Sequence, residues 1–244
     1  NDTLSSDFEV KSRQHRPNAG INFEGDVWRI DTNIGLLNTT LENNNFLSET
    51  SFNNTFNNLY VRARVRYEVE RSKSLSIDYS TDANVPSLRQ LQPVVDRTNP
   101  NNIITGNPNL RPSYSHNIRA GYRNFDFSKR SGIFSYFNMN FTENSVVART
   151  ITDTTDLSRT TTYTNVDGVM SASLGIFYNK QKKNENKEFR YRLSLNANYN
   201  KNVGFSNGVQ FDSENLIVNP SVMLTYAIDD IIELNPSIGI DYNN

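Results

Sequence analysis

The sequence predicts an all-β fold, an antiparallel up-and-down transmembrane β-barrel, and three observations carry the prediction. The first is alternation. Leu59 to Glu70 read LYVRARVRYEVE, with Leu59, Val61, Ala63, Val65, Tyr67 and Val69 on one face and Tyr60, Arg62, Arg64, Arg66, Glu68 and Glu70 on the other. A period of two belongs to an extended strand, because successive side chains leave opposite faces of the pleat. The second is length: mean strands run to about six residues, whereas a tilted strand crossing a bilayer needs roughly nine to eleven. The third is the rhythm of the connections, which alternate short and long along the chain.

Composition alone hides this class. Mean hydropathy is -0.64 and 36% of the residues are hydrophobic. No run approaches the ~18 apolar residues of a membrane helix. A membrane barrel escapes both measures, because only every second residue meets lipid and its loops are polar. The net charge of -1 supplies no basic field for nucleic acid. With no cysteine, disulfides and thiolate metal sites are excluded. No signal segment opens the chain, so the sequence reads as a mature or partial form.

In chain order, two-faced strands are expected near 16–24, 27–38, 57–70, 74–81, 113–124, 132–143, 168–179, 188–200, 216–227 and 231–243. Met170, Ala172, Leu174, Ile176 and Tyr178 share one face, and Tyr191, Leu193, Leu195, Ala197 and Tyr199 another. Val222, Leu224 and Tyr226, then Ile232, Leu234, Ile238, Ile240 and Tyr242, repeat the scheme. Pro220 and Pro236 fall inside two of these strands, where a residue without an N–H weakens a ladder. Short turns are expected at Gly25-Asp26, around Ser72-Lys73, at 126–131, at 180–187 and at Asp229-Asp230. Long polar loops are expected at 39–56, 82–112, 144–167 and 201–215. Membrane barrels pair short turns at one end with long loops at the other.

The aromatic residues of the apolar face sort by height. Trp28, Tyr67, Tyr122, Tyr178, Tyr191 and Tyr226 fall near the short turns, and Tyr79, Tyr199 and Tyr242 near the long loops. Tyr191 and Tyr199 are separated along one tilted strand by roughly 20 Å of height, close to the ~25 Å apolar band between aromatic girdles. A lipocalin-like barrel inverts the arrangement, with apolar residues inside and charges outside, and alternation does not distinguish the two.

The segment from Pro86 is more specific: Pro86-Ser87-Leu88-Arg89-Gln90-Leu91-Gln92-Pro93, then Gly106-Asn107-Pro108-Asn109-Leu110-Arg111-Pro112-Ser113. Gly106, Pro108 and Pro112 prevent regular pairing, and Asn107 is suited to bond its own turn. The second stretch resembles the GNPxLxPE segment of TonB-dependent receptor barrels, with Ser113 where the family usually has an acidic residue. The first looks like the longer signature of TonB-receptor-like outer-membrane barrels, and Tyr163 to Gly168 looks like that family's return from loop to strand. The sharp match covers about forty residues; the rest agrees in rhythm. The resemblance implies a bacterial outer-membrane location, lipid around the wall, a barrel of about twenty-two strands, a plug domain inside it, TonB as energy-supplying partner, and a surface lipoprotein as a further partner. Against that frame, residues 1–244 read as a single barrel region without plug or remaining strands; a small complete barrel of ten strands is the alternative.

No enzyme and no cofactor are expected. His15 and His116 stand apart from any metal-ligand spacing, and no G-x-S-x-G or phosphate-binding glycine loop is present. Asp153 and Asp156 have weak calcium-loop spacing. The candidate functional residues are the stripe Arg62, Arg64, Arg66, Glu68 and Glu70, joined by Arg190 and Arg192, which in the membrane reading face the lumen and meet a plug or an anionic ligand. The bland alternative is a hydrated wall whose charges pair across strands. Gly106, Asn107, Pro108, Leu110 and Pro112 are candidate junction residues between loop and wall. Ligand contacts are expected in the loops 39–56, 144–167 and 201–215. Three functions follow: TonB-dependent uptake of a nutrient, a passive or structural barrel without a plug, or a soluble β-rich binding or adhesin domain.

Overall fold

A computed structural model describes residues 8–46, 50–96, 98–99, 101–155, 157–229 and 231–244. Its strands are β1 (Phe8–His15), β2 (Asn18–Glu24), β3 (Trp28–Asn45), β4 (Thr50–Glu70) and β5 (Lys73–Asn84). A helical turn α1 (Leu88–Leu91) and the short strands β6 (Val95–Asp96) and β7 (Asn102–Thr105) follow. Then come β8 (Ser113–Asp126), β9 (Ser131–Glu143), β10 (Ser145–Thr152), β11 (Arg159–Val166), β12 (Val169–Asn184), β13 (Lys187–Ser206) and β14 (Val209–Ile228). The fragments β15 (Ile232–Leu234), β16 (Ser237–Gly239) and β17 (Tyr242–Asn243) close the order.

The main sheet is one antiparallel meander, β3-β4-β5-β8-β9-β12-β13-β14, with β1 and β2 on one flank and β15, β16 and β17 on the other. Each flank is a single line of chain in one register. His15 faces Asn38 and Asn18 faces Gly35, so β1 and β2 continue each other across Pro17. Ile228 faces Ile232, Met223 faces Ser237 and Ile217 faces Asn243, so the last three fragments do the same. Ten lines of chain therefore build the sheet, as the sequence pattern leads one to expect.

Proline explains the breaks. The carbonyls of Pro17 and Pro236 accept from Leu36 and Leu224, and that of Pro220 accepts from Ile240. Because N–H and C=O of a strand residue point the same way, each proline removes the donor that would face this neighbour. Pro220 consequently leaves its pairing with Leu195 on β13 intact and weakens only the outer flank. Among the described residues the two flanks do not pair with each other, and the sheet is open.

The expected long loops are only partly loops. Residues 38–45 pair with 50–57, and 201–206 with 209–214, so β3, β4, β13 and β14 run far past the length a membrane requires. Asn38 donates to Asn57 at 2.8 Å, and a two-residue turn at Asn207-Gly208, with φ of 47° and 78°, closes the second arm. Positive φ at both positions is the type I′ geometry that Asn-Gly favours. Residues 144–167 are likewise a hairpin, β10 with β11, which joins β7 and β6 in a second, four-stranded sheet. Positive φ at Asn144 and Gly168 turns this hairpin out of the main sheet. Of the loop and turn expectations, residues 47–49, Arg97, Pro100, Asp156 and Asp230 lie outside the described residues.

The core sits at the long-connection end. Leu37, Ala83 and Tyr114 form a buried cluster with Tyr60 packed on it, while Leu91, Leu110, Val166 and Val203 are buried nearby in the chain's connections or arms. The apolar face lower down is uncovered: Trp28 is 42% exposed, Leu193 42% and Ile238 69%. No second layer covers it among the described residues. The hollows open on the other face. One of about 480 Å³ is lined by Asn117, Asn138, Ser173 and Asn198, and one of about 570 Å³ by Asp31, Arg62, Arg64, Asp78 and Arg119. A sheet curved with its polar face inward produces that arrangement.

Candidate functional site

The polar face is organised in rows, because register brings alternate residues of every strand into line. One row runs Asp31, Arg64, Asp78, Arg119, Asn138, Ser173, Asn198. The row on its long-connection side runs Asn33, Arg62, Ser80, Asn117, Asn140, Ser171, Asn200. On the other side lie Arg29, Arg66, Ser76, Gly121, Tyr136, Gly175, Asn196. Charge is concentrated on β3, β4, β5 and β8; from β9 to β13 these rows carry amides, hydroxyls, glycine and one tyrosine.

The charges pair unevenly. Arg64 bonds Asp78 directly across the ladder, with Asp31 on its other flank. Arg29 faces Arg66 in the register and bonds Glu24 at 2.9 Å. Like charges directly opposite repel, so turning Arg29 toward Glu24 relieves that clash. Arg62, Arg66 and Arg119 have no ion-pair partner among the described residues. The amides are tied to one another: Asn140 donates to Asn117 at 2.9 Å and Asn138 to the Ser173 hydroxyl at 3.3 Å. The wall thus offers free cationic groups on one side and a neutral hydrogen-bonding lattice on the other.

Of the residues expected to face the lumen, Arg62, Arg64, Arg66 and Glu68 share the polar face. Glu70 leaves it. A bulge between Glu68 and Glu70 skips Val69, so that Glu70 stands opposite Lys73, which it bonds at 3.2 Å. One inserted residue reverses the alternation beyond it. Arg190 and Arg192 share the polar face nearer the short turns; Arg190 bonds Glu188 and Arg192 approaches the Met223 sulfur. They do not meet the stripe on β4. Asp31, Asp78 and Arg119 complete the site and were not singled out in the sequence, because membership depends on which strands are neighbours and in what register.

The junction residues gather at a second place. Gly106 donates to Gln92 O, and a Cβ there would lie 2.3 Å from that oxygen. The Asn107 side chain donates to Tyr163 O at 2.9 Å and accepts from Asn109 N at 3.0 Å. Leu110 is fully buried, and Pro108 and Pro112 flank the turn that ends at β8. Asn165 answers from the hairpin: its oxygen accepts from Arg111 N at 2.9 Å and its nitrogen donates to Arg111 O and Asn144 O. Asn107 and Asn165 together bind the long connection to the β10–β11 hairpin. His116 lies on the apolar face near this end, bonded to the Tyr79 hydroxyl at 2.8 Å and to Glu143 at 3.3 Å. Tyr79 is thus tied to β8 at the long-connection end of the apolar face. Asp153 accepts from Thr155 N within its own turn, and no metal-ligand group occurs among the described residues.

Residues 12–241 match the outer membrane protein beta-barrel family. No curated protein matches the chain. Among solved structures, the chain is similar to the siderophore receptor PirA from Pseudomonas aeruginosa, with TM-score 0.43 and 10% identity, covering 99% of this chain and 58% of that one. It is also similar to PirA from Acinetobacter baumannii, with TM-score 0.41 and 8% identity, covering 97% and 55%. The chain spans a little over half the length of either receptor.

Proposed function

The chain belongs to the outer membrane protein beta-barrel family, and from that premise we propose that it forms part of the wall of a plugged barrel for TonB-dependent nutrient uptake. Location in the bacterial outer membrane turns the uncovered apolar face to lipid and the polar face to the interior. In lipid an open edge leaves backbone amides without partners, so in this reading further strands pair both flanks and close the wall.

The polar face carries the proposal. A passive structural wall is satisfied when its charges pair across strands, yet Arg62 and Arg119 stand without ion-pair partners around the hollow that also contains Asp31 and Asp78, and Arg66 stands without one in the neighbouring hollow beside Arg29 and Glu68. Such free guanidiniums suit the carboxylates of a plug or an anionic cargo. The resemblance at Gly106 to Ser113 supports the same reading, since it ties the wall to a receptor-like loop.

The test is energy dependence. Cells expressing the protein are to be given iron chelates, oligosaccharides or peptides as the limiting nutrient. Uptake of one class should require the protein and vanish when TonB is deleted. Uptake that survives loss of TonB, together with steady open-channel conductance of the purified protein, would establish a passive pore instead.

A further inference from the structure

The polar face carries aromatic rings where amides and hydroxyls are the rule. Between the row of Asn33 to Asn200, which Asn215 on β14 continues, and the short turns, its aromatic residues among those described are Phe125, Phe134, Tyr136 and Phe177, all on the adjacent strands β8, β9 and β12. Phe127, 74% exposed in the turn after β8, extends the line to the short-turn mouth. Ring centroids are 6.2 Å apart for Phe134 and Tyr136, 6.1 Å for Phe134 and Phe177, and 4.7 Å for Phe125 and Phe127. The result is a track, running from mid-wall to the mouth beside a hollow of about 490 Å³.

Glycines make the rings lie down. Tyr136 has Gly121 and Gly175 as its two cross-strand neighbours. A Cβ on Gly175 would sit 2.3 Å from the Tyr136 ring, and one on Gly132 would sit 2.3 Å from the Phe125 ring. Rings resting on bare backbone present faces to the interior, whereas rings standing between side chains present edges. Apolar faces open to a watery lumen are unfavourable unless something covers them.

The surroundings identify the occupant. Along the track most neighbouring groups are uncharged hydrogen-bonders: Asn138 next to Tyr136 on its strand, Asn196 opposite Gly175, Ser194 opposite Phe177, and Asn179 opposite Gly132. The charged groups at the hollow are Arg71 and Arg123; Arg123 faces Phe134 in the register and its guanidinium is engaged in donating to Arg71 O. A lipid chain would leave the amides unused, and an anion would favour the unpaired arginines of β4. A pyranose has one face of C–H bonds and a rim of hydroxyls, which matches flat rings edged by amides.

We infer that this aromatic track binds and guides a neutral oligosaccharide along the barrel wall. The inference deepens the uptake reading and rests on it for the direction of travel, but binding is measurable by itself. The protein purified in detergent is to be titrated calorimetrically with maltohexaose and with cellohexaose. One of them should bind, Tyr136→Leu and Phe134→Leu should each weaken it about fivefold or more, and Tyr136→Phe should retain it. Phe137→Leu, on the opposite face, should leave affinity unchanged. Heat-modifiable gel mobility verifies that each variant is folded. Absence of binding by both sugars, or affinity indifferent to Tyr136 and Phe134, overturns the inference. Uptake of another nutrient that still needs TonB would then leave the transport reading standing; sugar binding without TonB dependence would remove that reading and keep the track.

Discussion

At the scale of single residues, two asparagines do more for the architecture than any charge in the stripe. Asn107 and Asn165 satisfy backbone groups on separate segments, so replacing either leaves partly buried donors and acceptors unpaired. Asn107→Ala should lower stability by about 1–3 kcal/mol, read as a shift in the urea unfolding midpoint in detergent. Gly106→Ala should cost more, because backbone at Gln92 blocks the new methyl group. Asp126 offers a pH test at the short-turn end. The Lys129 amide and the Lys129 charge hold its carboxyl below the ordinary carboxylate range. A lowered folded-state value means that this contribution is complete above the unfolded value and is lost as pH falls through the folded one. Protection of the Lys129 amide, measured as its hydrogen-exchange rate relative to the intrinsic rate at each pH, should therefore fall in that acidic window, and Asp126→Asn should flatten the response.

At the scale of elements, the strands that face lipid were legible and the arms above them were not. Where one face is apolar and the other polar, as in Leu59 to Glu70, alternation announces a strand. Residues 38–45, 50–57 and 201–215 carry polar side chains, asparagine above all, on both faces, so a period of two leaves little hydropathy signal, and their order comes from cross-strand pairs such as Asn38 with Asn57. One local signal was present, the Asn207-Gly208 turn flanked by pairing residues. Gly208→Ala should strain that turn and destabilise the arm by about 1 kcal/mol, seen as faster exchange of the amides near Ser206 and Val209 with little change lower on β13. The bulge at Val69 was illegible in a different way. Alternation runs through Glu70 in the sequence, and only pairing with β5 reveals the extra residue.

At the scale of the whole molecule, one sheet separates two media. Trp28, the only tryptophan, lies on the apolar face with its ring 4.5 Å from that of Tyr67. Protein in vesicles should show quenching of Trp28 emission by lipids brominated near the headgroup more than by lipids brominated at the chain end. Equal quenching by water-soluble iodide in vesicles and in urea would place this face in water and contradict the orientation.

The sequence by itself determined that the chain makes two-faced strands, about ten of them, with lipid-compatible residues on one side. That information is local, since period two acts residue by residue. Tertiary structure decided what the polar side becomes. Register across six strands placed Asp31, Asp78 and Arg119 around the arginines of β4, removed Glu70, and laid the Tyr136 ring over Gly175. Those neighbours are far apart along the chain, and only hydrogen bonding between strands brings them into one row.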